Sequence, residues 1–260
     1  MEGVSLTIGV IVAMEAELSH SLDLFASRIH KADKYAKTQE IYFGDELVLC
    51  ISGVGKVNAA SAAAMLLSLH DVDVLISIGV SGSLVDDFNV GDIALVTTAL
   101  EHDLDLRPIV ESPGVAMGQS SPLHRSHAKV TETLHLAVEP LLESWSCSVY
   151  DRFGTRATLH TATVATGDTL VTSVEQKSAI VSQFPAAQLV DMETGAIAKV
   201  AINHGVPWGA LRVVSDSADS KEVAREVFAF CSWEGSKLIA STIAHLIEIG
   251  LGKNGVIDDL

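Results

Sequence analysis

Six polar side chains, Glu17, Ser81, Asp168, Glu193, Ser215 and Asp216, stand just past apolar runs in this 260-residue chain. A carboxyl group held away from water rises in pKa and can deliver a proton near neutral pH. One that stays ionised can take a proton from water or accept hydrogen bonds from hydroxyls. The same residues also have plainer readings. Ser215-Asp216 suits a helix N-cap after a strand, and Glu17, like Glu15, suits the first turn of a helix, where the dipole favours negative charge. Glu193 needs a partner in either case if it is buried, because an unpaired buried charge is costly. Gly53, Gly55 and Gly82 fit tight turns or close approach of the backbone to a ligand. His102-Asp103 supplies two metal-ligand types without a third; a structural hydrogen-bond pair is the simpler expectation, and no metal or cofactor is implied.

The elements that must position these residues follow from apolar periodicity. Leu6 to Ala13 reads as a strand buried on both faces, with a helix from Met14 through Phe25. A loop from Lys31 to Gln39 precedes a hairpin of Glu40 to Phe43 and Leu47 to Ser52, turning near Gly44-Asp45. An Ala-rich helix is expected over Val57 to Ser68, a strand over Val72 to Ile78 closed by Gly79 to Ser83, and a strand over Gly91 to Val96. Leu104 to Ser121, with two prolines and two glycines, reads as a mobile loop. Helices follow over His124 to Ser144 and Val174 to Phe184, with a strand over Thr158 to Thr166 between them. A short strand over Leu189 to Met192 leads into a helix over Thr194 to His204. Trp208 to Val214 is a strand, a last helix runs from Arg225 to Ile249, and a loose tail starts at Gly252. Strands alternating with helices imply an α/β domain of three layers, α/β/α, with a central mixed, mostly parallel twisted sheet. Residues 1–260 show no repeat or linker, so a single domain is expected. In such sheets ligands sit where strands end, which is where the six polar residues lie.

Composition narrows the function classes. Aspartate and glutamate total 33 against 17 lysine and arginine, a formal charge of −16. That surface repels nucleic acid and anionic lipid, so neither is an expected partner. Cys50, Cys147 and Cys231 are far apart and fit buried, reduced thiols. Met1-Glu2-Gly3-Val4 lacks the basic start of a signal peptide, and Ile8 to Met14 is too short to cross a bilayer, which points to the cytoplasm.

Seven stretches, in order, resemble the nucleoside phosphorylase/nucleosidase family, and more narrowly its methylthioadenosine/S-adenosylhomocysteine nucleosidases. They are IGVIVAMEAE (Ile8 to Glu17), SGVGKVNAA (Ser52 to Ala60), IGVSGSL (Ile78 to Leu84), VGDI (Val90 to Ile93), ATGD (Ala165 to Asp168), VDMETGAIA (Val190 to Ala198) and RVVSDSAD (Arg212 to Asp219). Together they are specific where each alone is weak. The resemblance implies a nucleoside-phosphorylase-like fold, a small-molecule nucleoside substrate, and a homodimer in which one subunit closes the other's site.

It also implies roles. Asp216 would protonate adenine N7, oriented by Ser215; Glu17 would activate water, paired with Arg212; Glu193 would hold the ribose hydroxyls, with Met192 beneath the sugar. Met14, Val54, Val80, Gly82, Leu170, Val171 and Asp191 would complete the binding site, with Asp168 near the purine. The family's phosphorylases place an arginine where this chain has Ser77, and the Glu15/Glu17 pair would repel phosphate, so water is the expected nucleophile. The chain departs from the nucleosidase pattern at Val80, Glu101 and Leu170. The alternatives are a purine nucleoside phosphorylase, a nucleosidase for another 5'-modified adenosine such as aminofutalosine, or for adenosine itself, and a non-catalytic nucleoside-binding protein.

Overall fold

The computed structural model describes residues 6–32, 39–219 and 222–250. The chain start, residues 33–38 of the predicted loop and the tail from Gly252 lie outside them.

Three apolar runs make the centre of the sheet. β1 (Ile8–Val12) lies between β4 (Leu47–Ile51) and β5 (Val74–Ser83), parallel to both, and every residue of β1 and β4 is buried. A strand with both faces covered needs no polar alternation, which accounts for the continuous runs. Alternate side chains of β1 serve different cores. Ile8, Val10 and Val12 pack with Leu18 and Phe25 of α1 (Glu15–Leu24) and its neighbourhood, while Ile11 packs with Ala59, Ala62, Ala63 and Leu66 of α2 (Lys56–Leu69). The alanines let α2 sit close to the sheet. Beyond β4 come β3 (Glu40–Phe43) and β2 (His30–Lys31), both antiparallel, so Lys31 belongs to a short edge strand rather than to the loop.

The other half closes on itself. β6 (Ile93–Glu101), β8 (Leu159–Thr166), β9 (Leu189–Asp191) and β10 (Trp208–Asp216) join β5 in the cyclic order β5–β9–β8–β6–β10, with β10 hydrogen-bonded to both β6 and β5. β7 (His124–Arg125) adds to β6. Among the described residues five ladders are parallel and five antiparallel, so the sheet is mixed.

Several elements differ in extent from the expectation. β5 does not stop at Ile78: Gly79 to Ser83 continue it, because their backbone groups find partners on β10 and β9. β6 starts at Ile93 and runs to Glu101, since Gly91 adopts φ 96° and turns the chain. The predicted helix over His124 to Ser144 is instead β7, α3 (Ala128–Val138), a 3₁₀ turn (Glu139–Leu141) and α4 (Leu142–Phe153). Pro140 lacks the amide an α-helix interior needs, so the helix breaks there and restarts. Gly154, in the left-handed region at φ 75°, ends α4. α5 (Val174–Gln183) and α6 (Thr194–His204) lie where expected. The last helix is α7 (Val223–Phe230), a π-helical turn (Cys231–Gly235) and α8 (Ser236–Ile249). Residues 104–121 form neither helix nor strand. Cys50 and Cys231 are buried and their thiols are pushed up to about 12 by burial, but Cys147 is exposed on α4, contrary to expectation.

Candidate active site

The ends of β1, β5, β9 and β10 converge on a cavity of about 340 Å³, within the size range of small-molecule sites. Its lining includes Met14, Glu17, Val54, Val80, Gly82, Leu170, Val171, Asp191, Met192, Glu193, Ser215 and Asp216. Of the predicted site residues, all but Arg212 and Asp168 therefore open into one space. Glu17, Glu193 and Asp216, distant in sequence, are 2%, 8% and 3% exposed.

Glu17 occupies the first turn of α1, so the plainer reading of it holds as well: its Oε2 accepts from the Met14 amide at 2.9 Å and from the Ala13 amide at 3.0 Å. Oε1 reaches across the sheet and accepts from the Val80 amide at 3.1 Å. Burial raises its pKa, while the Met14 amide and the Arg212 charge pull the other way. Gly79 makes the approach possible, because a Cβ there would stand 2.6 Å from Glu17 Oε1.

Glu193 precedes α6, and its Oε1 accepts from the Gly55 amide at 2.9 Å. Gly55 sits at φ 98°, a conformation that suits glycine, and so directs its amide at the carboxylate. Burial first, and the neighbouring Asp191 charge second, push Glu193 up to about 8. Asp191 lines the cavity, but its carboxylate is taken up by neighbouring protein groups. Its carboxylate accepts from Thr166 Oγ1 at 2.5 Å, from Arg212 Nε at 3.0 Å, and from the Thr194 amide and hydroxyl.

Arg212 thus pairs with Asp191 rather than with Glu17, a correction to the expected pairing. Its Nη2 also donates to Ser77 Oγ and Thr194 Oγ1, each at 2.7 Å. The sequence offered no signal for this, since the pair links β10 to the end of β9.

At the far end, β10 bulges at Ser215: Val214 pairs with Ser81 and Asp216 with Gly82. A bulge re-aims side chains, and here Ser215 and Asp216 both reach the cavity. Asp216 does not cap a helix. Its Oδ1 accepts from the Ala218 amide at 2.8 Å, in a turn where Ala218 takes φ 56°. Ser215 Oγ lies 2.8 Å from Asp216 Oδ2 and 3.2 Å from the Ser81 carbonyl oxygen. A hydroxyl has one proton to donate. When Ser215 gives it to Ser81, the 2.8 Å contact is served by a proton on Asp216. Burial raises the Asp216 pKa, which favours that protonated form.

Asp168 is not part of the cavity. It is exposed, and its Oδ1 accepts from the Lys56 amide at 2.7 Å, tying the start of α2 to the loop after β8. Asp103 likewise bonds Lys56 Nζ at 2.6 Å and the Asp168 amide at 2.8 Å rather than pairing with His102. Glu101 also pairs with Lys56, at 3.2 Å. Among the described residues no group of three His, Cys, Asp or Glu is placed to hold a metal, and no helix is long and apolar enough to cross a membrane. Thr169, Val190 and Val227 line the cavity without having been singled out, since nothing in their types separates them from ordinary packing.

The model of the phosphorylase superfamily matches residues 7–248. A 5'-methylthioadenosine/S-adenosylhomocysteine nucleosidase of Staphylococcus aureus (strain bovine RF122 / ET3-1) is 30% identical over 223 residues, 85% of this chain and 91% of that protein. The crystal structure of the corresponding Neisseria meningitidis nucleosidase, in complex with methylthio-immucillin-A, is 25% identical with a TM-score of 0.77, covering 94% of this chain and 99% of that one. A native structure of futalosine hydrolase of Helicobacter pylori strain 26695 is equally similar, at 25% identity and a TM-score of 0.77, covering 94% and 98%.

Proposed function

The chain belongs to the phosphorylase superfamily, and from that membership we propose that it hydrolyses the N-glycosidic bond of 5'-methylthioadenosine and S-adenosylhomocysteine, releasing adenine. The observation that carries this reading is that Glu17, Glu193 and Asp216 are buried carboxyl groups, far apart in sequence, that line one cavity. The named nucleosidase relatives supply the substrate class.

In the proposed step the C1'–N9 bond breaks and a C1'–O bond forms to water. Asp216 gives its proton to adenine N7, so the base leaves as a neutral molecule rather than an anion. Glu17 takes a proton from the attacking water. Glu193 accepts hydrogen bonds from the ribose hydroxyls and, when ionised, places negative charge near the developing oxocarbenium ion. Met192 lies against the sugar, and Val54, Leu170 and Val171 provide apolar wall. Arg212 serves as a positioning residue behind the cavity through Asp191.

Water rather than phosphate is favoured by how Glu17 is held. The amides of Ala13, Met14 and Val80 converge in a cradle that could take an anion, and the chain's own carboxylate fills it. Ser77, where a phosphate-binding arginine would be expected, is instead bonded to Arg212.

The proposal extends to a single three-layer α/β/α domain over residues 1–260, a cytoplasmic setting and a homodimer. Cores on opposite sides of β1 support the layering, and exposed Val54 (47%) and Leu170 (43%) at the cavity mouth support a second copy covering it. The likeness to futalosine hydrolase keeps a nucleosidase for that 5'-modified class as the second reading. The test is adenine release from 5'-methylthioadenosine, S-adenosylhomocysteine, adenosine and aminofutalosine, each with and without phosphate. Turnover of the two thioethers without phosphate is expected; a phosphate requirement would reject the hydrolase.

A further inference from the structure

Ser81 is 4% exposed and lines the cavity, yet its Oγ makes no hydrogen bond among the described residues. Its backbone is committed, its carbonyl oxygen lying 3.2 Å from Ser215 Oγ. The residue before it, Val80, gives its amide to Glu17. The residue after it, Gly82, is packed so closely by Asp216 that a Cβ there would lie 2.9 Å from Oδ1. Ser81 therefore stands on β5 between the carboxyl group assigned to water and the one assigned to the leaving base. A buried hydroxyl without a partner costs free energy that an alanine in its place would not, so its presence in a cavity wall points to a contact completed by something entering the cavity.

We infer that Ser81 is a substrate-binding residue, its hydroxyl hydrogen-bonding a polar atom of the nucleoside next to the scissile bond. This rests on the nucleosidase reading and adds to it a specificity contact. The hydroxyl can donate or accept, so it can serve a ring nitrogen of the base or a sugar oxygen. One uncharged hydrogen bond of this kind is worth about tenfold in kcat/KM.

The test compares wild type with Ser81→Ala and the nearly isosteric Ser81→Cys, using 5'-methylthioadenosine as substrate. Both variants are expected to lose about tenfold in kcat/KM while the ligand-free Tm stays level or rises, since the alanine variant removes an unsatisfied buried group. A kcat/KM within about twofold of wild type in both variants overturns the assignment. A marked fall in the ligand-free Tm also overturns it, because the hydroxyl would then be serving the protein itself. Wild-type protein that releases no adenine from either thioether rejects the function reading instead, so the two failures are distinguishable.

Discussion

Arg212 Nε donates to Asp191 Oδ2 at 3.0 Å, between side chains that are both almost fully buried immediately behind the cavity. With Ser77, Thr166 and Thr194 they form a polar knot joining β5, β8, β10 and the start of α6. Removing one partner leaves the other charged and unpaired in a dry setting. Arg212→Met is expected to destabilise the protein by about 3–5 kcal/mol, a fall in Tm of roughly 6 °C or more for a chain this size. Arg212→Lys should not restore it, because a point charge cannot reproduce the fork of donors. Thermal denaturation that leaves R212M within about 2 °C of wild type would contradict this account.

Asp216→Asn keeps the shape of the side chain and removes its acidic proton. Adenine release is expected to fall by about 10²–10⁴-fold, while the Tm and the affinity for 5'-methylthioadenosine stay near wild type. The wild-type kcat should fall on the alkaline side as Asp216 loses its proton, and residual activity of D216N should lack that limb. Near wild-type turnover in D216N would remove Asp216 from the acid's role.

Gly79→Ala probes the closeness of β5 to Glu17. A Cβ 2.6 Å from Oε1 must push the carboxylate out of its cradle of three amides. Misplacement on this scale is expected to cost about 10²-fold in kcat/KM. Turnover comparable to wild type would mean that Glu17 need not be held where it is.

Glu193, pushed up to about 8, binds a proton in the folded protein over a range where the unfolded chain, with its ordinary carboxyl value of 4.5, has lost it. The folded state then holds more protons than the unfolded one, so stability from this group is present in full below 4.5 and declines as pH rises to about 8. Glu17 and Asp216, also raised, act in the same direction. Melting curves across that window should show the Tm of wild type dropping with pH, and less steeply in Glu193→Gln. Parallel slopes for the two proteins would remove Glu193 from this linkage.

Much of the cavity lining was legible because apolar runs end where its polar residues stand. The run from Ile8 sets β1 and delivers Glu17 to the next turn, and the run ending at Val214 delivers Asp216. What sequence could not carry was pairing across the sheet. Arg212 reads as the partner of Glu17 until β9 and β10 bring Asp191 to it, and Asp168 reads as a strand-exit carboxylate until α2 presents the Lys56 amide. The bulge at Ser215 had no local signal, since it arises from register with β5. Pro140 did carry a signal, and the break it makes between α3 and α4 follows from its missing amide.

The ring β5–β9–β8–β6–β10 has no free edge of its own between the strands that carry Ser81, Glu193's approach and Asp216. Such a wall cannot part like two hinged leaves to admit a ligand. Ligand exchange is then expected at the rim, where Val54 and Leu170 are exposed, with the wall that carries Ser81 and Asp216 staying closed.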